Sequence, residues 1–396
     1  MRLRTAEHVN VSNKRVILRA TLDVHFVDAG GELKVDDDAR LQAVIPAIRD
    51  LVSRGAKVVL LSWLQRPRGK VVKEMSMAPV GKRLAELLAM PVNFLDDCVG
   101  KKIQKAISQA PSGSVTLLEN VRFHPGEKDE EYYDDSFAKE LAKNGDLFIN
   151  DAFGQSHRAV ASIVGIPKYL PSYAGPGLAR EVKELSAAMT DPQRPFVGVI
   201  GGAKISSKMG VIKSLLKKVD YLLLGGALAN TILRAKGIQV GTSLIEEKMV
   251  AMTSEFVLTD NRLHIPIDVV VAHEASEAAA VHTRAVGKVK EDEKILDIGP
   301  DTITLFEEIL ESAKTTIWNG PMGYFELKKF SRGTDAIAEC MGRIDGRTIV
   351  GGGETVASIR RLGLESKMSF VSMGGGAMLD FIEYGTLPGI EPLRIT

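Results

Sequence analysis

Five glycine-rich turns crowd the C-terminal half of the chain, each after an apolar run: GVIGGAK (198–204), LLLGGAL (222–228), IWNGPMG (317–323), IVGGGET (349–355) and VSMGGGA (371–377). A strand that ends in Gly-Gly and passes into a helix brings backbone N–H groups against an anion, and the helix N-terminus adds partial positive charge. One such turn is only a tight strand-to-helix connection. Five at the same ends of successive strands predict a nucleotide phosphate site at the carboxyl edge of a parallel sheet. The N-terminal half carries arginines instead. Arg19 follows VIL, Arg66 follows VVLLSWLQ, Arg122 follows VTLLENV, Arg158 follows NDAFGQSH, and Arg40 opens a helix after DDD (36–38). Guanidinium binds phosphate and carboxylate bidentately, so this recurrence predicts a pocket for a multiply charged anion. The chemistry expected is phosphoryl transfer, with a small anionic substrate on one domain and a nucleotide on the other.

The elements that must position these residues follow from periodicity. Strand-like runs in the N-terminal half are RVILRA (15–20), AKVVLLSW (56–63), PVNFL (91–95), SVTLLE (114–119) and DLFIND (146–151). Helical stretches lie between them, such as RLQAVIPAIRDLVSRG (40–55), where apolar residues recur every three to four positions. In the C-terminal half PFVGVIGG, VDYLLLGG, IPIDVVVA, TTIWNG, RTIVGGG and MSFVSMGGG read as strands. Their near-continuous hydrophobicity fits parallel strands buried on both faces by helices. The fold class expected is α/β, with two doubly wound, Rossmann-like parallel-sheet domains. The expected divisions are an N-terminal domain over 1–170, a hinge helix over 171–190, a C-terminal domain over 191–378, and a tail over 379–396 that returns to the N-terminal domain.

Composition narrows the function classes. The 396 residues include 51 basic and 50 acidic ones, a net charge of +1. That balance argues against a nucleic-acid partner and makes any attraction for anions local. Cys98 and Cys340 lie far apart without metal-ligand spacing and read as inert thiols of a reducing cytoplasm. The N-terminus has no apolar targeting core, and no segment approaches 18 apolar residues, so no membrane association is expected. The chain has no GxxxxGK[ST] motif, no HRD or DFG, and no HExxH zinc motif.

The ordered set LLENVRFHPGE (117–127), NDAFGQSHRA (150–159), GGAKISSK (201–208), LDIGP (296–300), WNGPMGYFE (318–326), GGGET (351–355) and SMGGGAML (372–379) resembles the phosphoglycerate kinase family, nearly over the full length. The resemblance implies a two-domain, monomeric, cytoplasmic enzyme that swings its domains together. Its reaction passes a phosphoryl group between 1,3-bisphosphoglycerate and MgADP, giving 3-phosphoglycerate and MgATP. The acceptor carboxylate is already ionised at neutral pH, so no general base is expected; alignment and positive charge are. By the same resemblance Arg40 and Lys208 supply that charge, and Gly374, Gly375 and Gly376 turn amide groups toward the migrating group. Thr21, Asp23, Arg40, Trp63, Arg66, Arg122 and Arg158 fall at substrate positions. Gly202, Ala203, Lys204, Lys208, Asn319, Glu326, Gly352, Gly353, Glu354 and Thr355 fall at nucleotide positions. Lys204 and Lys208, four residues apart, are expected on one helix face. Glu354 stands where the family has an Asp and would help place Mg²⁺ through the nucleotide.

Departures cluster on the substrate side. RATLD (19–23) stands where the family has RVDFN, so Thr21 and Asp23 replace an Asp and an Asn; WLQRP (63–67) stands where it has HLGRP, so Trp63 replaces a His. A ring with one neutral donor and an added carboxylate are expected to weaken the hold on 3-phosphoglycerate. Two other readings stay open on these residues: a diverged kinase of the same fold with another phospho-acid substrate, or a catalytically weak nucleotide-binding paralogue.

Overall fold

The computed structural model describes residues 1–128, 133–257 and 260–395. The chain forms two compact units, Met1–Lys183 with Thr386–Thr396, and Glu184–Gly385.

The first unit is built on a six-stranded, all-parallel sheet. In spatial order its strands are Val92–Leu95, Val115–Leu118, Lys57–Leu61, Arg15–Arg19, Leu147–Asn150 and Ser172–Ala174. Alternation of side chains explains why the strand sequences are apolar throughout. Val16, Leu18, Val58, Leu60, Val115, Leu117, Leu147 and Ile149 join one core, while Ile17, Val59, Leu61, Leu118 and Phe148 join a second core on the other face. The helix Ala39–Ser53 covers the first core with Leu41, Val44, Ile45, Ala47, Ile48 and Leu51. The C-terminal segment is stitched into this unit by Gly389 N–H to the Ser156 carbonyl at 2.8 Å and by Arg4 N–H to the Leu393 carbonyl at 2.8 Å.

The second unit repeats the plan. Its parallel strands, in spatial order, are Leu263–His264, Tyr221–Leu224, Phe196–Ile200, Thr315–Asn319, Arg347–Gly351 and Phe370–Ser372. Numbered within the unit, that order is 3-2-1-4-5-6, so the chain reverses direction between Phe196–Ile200 and Thr315–Asn319. Such a switch point opens a crevice at the carboxyl ends of the two strands, where ligands bind in doubly wound sheets.

One apolar run departs from expectation. Asp268–Ala272, read as part of the parallel sheet, instead pairs antiparallel with His282–Ala285 and Lys294–Ile298 in a separate three-stranded sheet. Its hydrophobicity is real, since Val269, Val271 and Ala272 are buried. A buried strand reads alike in either setting, so the run alone does not select its partners. The division between the units falls between Lys183 and Glu184, inside the helix Pro176–Thr190 and within the 171–190 segment, whereas the returning segment starts at Thr386 and not at 379. The helix Gly376–Tyr384 stays with the second unit, where the Ile382 carbonyl accepts the Ser214 hydroxyl at 2.9 Å.

Candidate active site

All five glycine turns lie at the carboxyl ends of five adjacent parallel strands of the second unit. Four helices start there: Met209–Leu216, Gly226–Ala235, Gly353–Arg361 and Gly376–Tyr384. Each lacks a side-chain cap on its N-terminal N–H groups. Uncapped first-turn N–H groups converging on one edge favour an anion.

Not every glycine N–H is available to it. Gly201 N–H donates to the Asn319 carbonyl at 3.0 Å, Gly202 to Pro321 at 2.8 Å, Gly225 to Ile200 at 3.1 Å and Gly226 to Met322 at 2.8 Å. These glycines tie three strand ends together, and close packing is what requires them. A Cβ at Gly226, where φ is +68°, would lie 2.6 Å from the Gly202 nitrogen. Gly374 N–H is likewise used locally, donating to the Ser372 hydroxyl at 3.1 Å, while Gly375 adopts φ +50° at the N-cap of the last helix. The expectation that Gly374 offers its amide to a migrating group is therefore not met in this conformation.

Lys208 stands at the switch point. Its Nζ donates to the Gly201 carbonyl at 2.7 Å, to Asn319 Oδ1 at 2.9 Å and to the Asn319 carbonyl at 3.3 Å. Burial lowers its ammonium from the ordinary 10.5 to about 8, against an opposing pull from Glu354. Asn319 is buried, and its Nδ2 has no hydrogen-bond partner among the described residues. An orphaned amide N–H₂ is costly in a dry site and calls for an acceptor such as a phosphate oxygen. Lys204 is exposed and lies in the loop before the helix, whereas Lys208 is the N-cap. The two do not share a helix face. Gly202, at φ +102°, and the Ser206 bonds to Glu246 at 2.8 and 2.6 Å hold 201–208 in turns.

Thr355 occupies the first turn of Gly353–Arg361. It is fully buried, and its hydroxyl accepts Gly320 N–H at 2.7 Å, which ties the helix start to the neighbouring strand end. Glu354, exposed on the same turn, lines a cavity of about 470 Å³ with Gly202, Ala203, Leu244, Tyr324 and Glu326. Mostly apolar walls with a few polar groups suit a flat heterocycle. Glu354 offers one carboxylate near the lysine, which fits a cation carried in by a polyanionic ligand. Gly352, at φ +96°, closes against Asn319 Nδ2, so that a Cβ there would be 3.0 Å from it. Gly353 meets nothing within 4 Å of a built Cβ.

The first unit gathers the arginines at its own carboxyl edge. Arg40 is exposed at the start of its helix and donates to the Asp23 carbonyl. Arg66 is exposed and Arg158 is half-buried. Arg122 donates from Nη1 to the Gln65 carbonyl at 2.7 Å. Arg19 is no pocket residue: it is wholly buried, and it donates to Ser162 Oγ at 3.0 Å and the Ala20 carbonyl at 2.8 Å. Thr21 is half-buried. Asp23 turns its Oδ1 to Gln65 N–H at 3.0 Å. Trp63, expected to offer its indole N–H in the pocket, is only 4 % exposed, with the guanidinium carbons of Arg122 and Arg19 at 3.8 and 4.6 Å from its ring centre.

Several organising residues are given no role by the sequence reading, two of them inside motifs it quotes. Ser62 Oγ accepts Leu22 N–H at 3.1 Å and donates to the Ala20 carbonyl at 2.8 Å. Asn120 bonds Leu64 in both directions, at 3.1 and 2.7 Å. Asp297, inside the LDIGP motif, backs the cavity of the second unit; burial pushes its carboxyl up to about 8, despite N–H donors from Gly333 and Ile298. Among the described residues, Asp97, Cys98 and His124 of the first unit form a mixed cluster with ligand atoms within 4.8 Å of one another. There Cys98 donates to the Glu119 carbonyl at 2.8 Å, and burial raises its thiol well above the ordinary value.

Comparison with known proteins adds independent findings. A family model described as phosphoglycerate kinase matches residues 6–384. The phosphoglycerate kinase of Moorella thermoacetica is 43% identical over 393 residues, 98% of each chain. A protein of Triticum aestivum named as cytosolic phosphoglycerate kinase is 44% identical over 397 residues, 98% of this chain and 97% of its own. The structure of phosphoglycerate kinase from Coxiella burnetii superposes with a TM-score of 0.86 at 37% identity, covering 99% of this chain and 98% of that one.

Proposed function

Since the chain belongs to the phosphoglycerate kinase family, we propose that it transfers a phosphoryl group reversibly between 1,3-bisphosphoglycerate and MgADP, yielding 3-phosphoglycerate and MgATP. The observation that carries this reading is the switch-point pair of the second unit, where Lys208 and the unpartnered Asn319 amide stand among four uncapped helix starts.

In this reading the nucleotide base enters the 470 Å³ cavity, Glu326 at its edge takes the ribose hydroxyls, and the phosphates meet Asn319, Lys204 and the helix start at Gly352, Gly353 and Thr355. Lys208, held until then by carbonyl oxygens, exchanges them for phosphate oxygens, which restores a full charge on a lysine that burial depresses. Magnesium bound with the nucleotide would add positive charge at the phosphates, with Glu354 as one oxygen ligand. Arg40, Arg66, Arg122 and Arg158 of the first unit take the phosphate and carboxylate of the second substrate, and Arg40 also serves the transferring group. No proton transfer to a base is needed, because the attacking carboxylate is ionised already. Catalysis rests on alignment and on fixed cations around a loosely bonded phosphoryl group. Action as a cytosolic monomer, with movement about the 171–190 segment, belongs to the same proposal. Among the described residues no helix is long and apolar enough to cross a membrane.

A coupled assay with 3-phosphoglycerate and MgATP tests this directly. Turnover is expected with that acid; turnover with a related acid and none with 3-phosphoglycerate would favour a diverged kinase.

A further inference from the structure

Trp63 and Asp23, the two departures that most alter the first unit's anion pocket, converge on one guanidinium. Arg122 Cζ stands 3.8 Å from the centre of the Trp63 ring, and its Nη1 donates to the Gln65 carbonyl at 2.7 Å. Gln65 takes a left-handed backbone, φ 53°, and its N–H donates to Asp23 Oδ1 at 3.0 Å. Arg19 shares the ring, with Cζ at 4.6 Å. Arg19 spends Nε on Ser162 and Nη1 on Ala20, and its buried Nη2 has no hydrogen-bond partner among the described residues. The electron-rich face of the indole is a counterpart for that group, and it does the same for Arg122.

We propose that Trp63 and Asp23 act as a coupled pair of positioning residues: Trp63 carries the Arg122 guanidinium on its ring face, and Asp23 fixes the Gln65 carbonyl to which that guanidinium is bound. The substrate's anionic group is then met by a pre-set arginine, not by the side chains at 63 or 23. This deepens the phosphoglycerate kinase reading and rests on it.

Charge explains why an indole suits this place. Arg19 and Arg122 already repel one another, with buried Glu127 as a nearby counter-charge. An imidazolium at 63 would add a third cation to that group, whereas an indole adds none. Asp23 Oδ1 is likewise engaged by a backbone N–H, which gives that oxygen a partner inside the protein. On this proposal Trp63 and Asp23 support the pocket, the opposite of the weakening that the resemblance implies.

The test compares the parent with Trp63→Ala, Trp63→Phe, Asp23→Ala and the Trp63→Ala/Asp23→Ala double variant. Binding of 3-phosphoglycerate is measured by calorimetry, and KM and kcat with MgATP by coupled assay. Loss of one desolvated ring–guanidinium contact is expected to raise Kd and KM for 3-phosphoglycerate roughly tenfold in Trp63→Ala, with KM for ATP unchanged. Trp63→Phe keeps a ring face and should recover most of the loss. Because both residues act through Arg122, the double variant should be little worse than the poorer single one. Unchanged Kd in Trp63→Ala, a Phe variant as poor as Ala, or fully additive losses would overturn the proposal. If Trp63→Ala does not fold, Asp23→Ala and Trp63→Phe decide: Asp23→Ala must weaken 3-phosphoglycerate while Phe binds it nearly as the parent does. A parent that neither binds nor turns over 3-phosphoglycerate overturns the kinase reading and this proposal with it. A normal parent beside normal variants overturns the proposal alone.

Discussion

Lys208 Nζ lies 2.9 Å from Asn319 Oδ1, and the other end of that amide, Nδ2, is buried without a partner among the described residues. The cation fixes which way the amide points, so its N–H₂ group is directed away from the lysine. One side chain thereby anchors the lysine and presents a donor of its own, at the sheet's switch point.

Lys208→Ala is expected to lower kcat roughly 10²–10³-fold, as deletion of a preorganised transition-state donor does, while nucleotide binding largely persists. Arg40→Ala should act alike from the other unit. The parent should also show an alkaline limb in kcat/KM for the nucleotide near pH 8, where the free protein's Lys208 loses its proton. Saturating nucleotide moves that limb upward in kcat, because phosphate favours the charged lysine. Near-normal turnover of Lys208→Ala, or a profile flat well past pH 9, would remove the lysine from the mechanism.

Asn319→Asp should separate stability from binding. A carboxylate pairs with Lys208 and relieves its depressed pKa, so the melting temperature of the second unit should rise. The same change puts negative charge where a phosphate oxygen is expected, and the Kd for ATP should increase roughly tenfold or more. A variant that binds ATP as the parent does would show that Nδ2 faces no phosphate.

Stability should fall as pH rises from weakly acidic to weakly alkaline. Burial pushes Asp151 up to about 6, Glu127 to about 7 and Asp297 to about 8. Their unfolded counterparts ionise near 4, so between that value and each native pKa the folded state holds more protons. Each contribution is complete at the acid end and lost as pH passes the native value. Lys208 has the opposite slope: from about 8 to the ordinary 10.5 the unfolded state binds the extra proton, and stability recovers with pH. Glu293, held at about 2 chiefly by Arg284, acts below this window. Urea unfolding followed for each unit from about pH 5 to 9 checks the sign. Asp151→Asn keeps an acceptor for Leu178 N–H, now 3.0 Å away, and should flatten the first unit's slope below pH 6. A stability that climbs steadily from pH 5 to 8 would contradict the assignment.

The strands were legible because burial on both faces leaves little choice of residue, and the glycine turns because strand ends packed this closely exclude a Cβ. What sequence reading missed depends on partners distant in the chain. Asp268–Ala272 is as apolar as its parallel neighbours, and only its pairing with His282–Ala285 and Lys294–Ile298 sets it apart. The spacing of Lys204 and Lys208 suits a helix, yet Glu246, some forty residues on, draws Ser206 into a turn. Trp63 reads as a pocket residue because WLQRP stands where the resembled family has HLGRP; the two guanidiniums on its ring come from Arg19 and Arg122, which lie elsewhere in the chain. Thr355 lies in the first turn of its helix, as its place after GGGE suggests, while the donor to its hydroxyl, Gly320 N–H, comes from the turn after a different strand.

At Gly201, Gly226 and Gly320 a methyl group would run into the neighbouring loop, at Pro321, Gly202 and Gly201 respectively. The three strand ends therefore fit together like a keyed joint, each loop filling the space that a side chain on the next would need. The same joint limits how the site can change by mutation, because a larger residue at any of the three glycines must be matched by a retreat in the loop opposite.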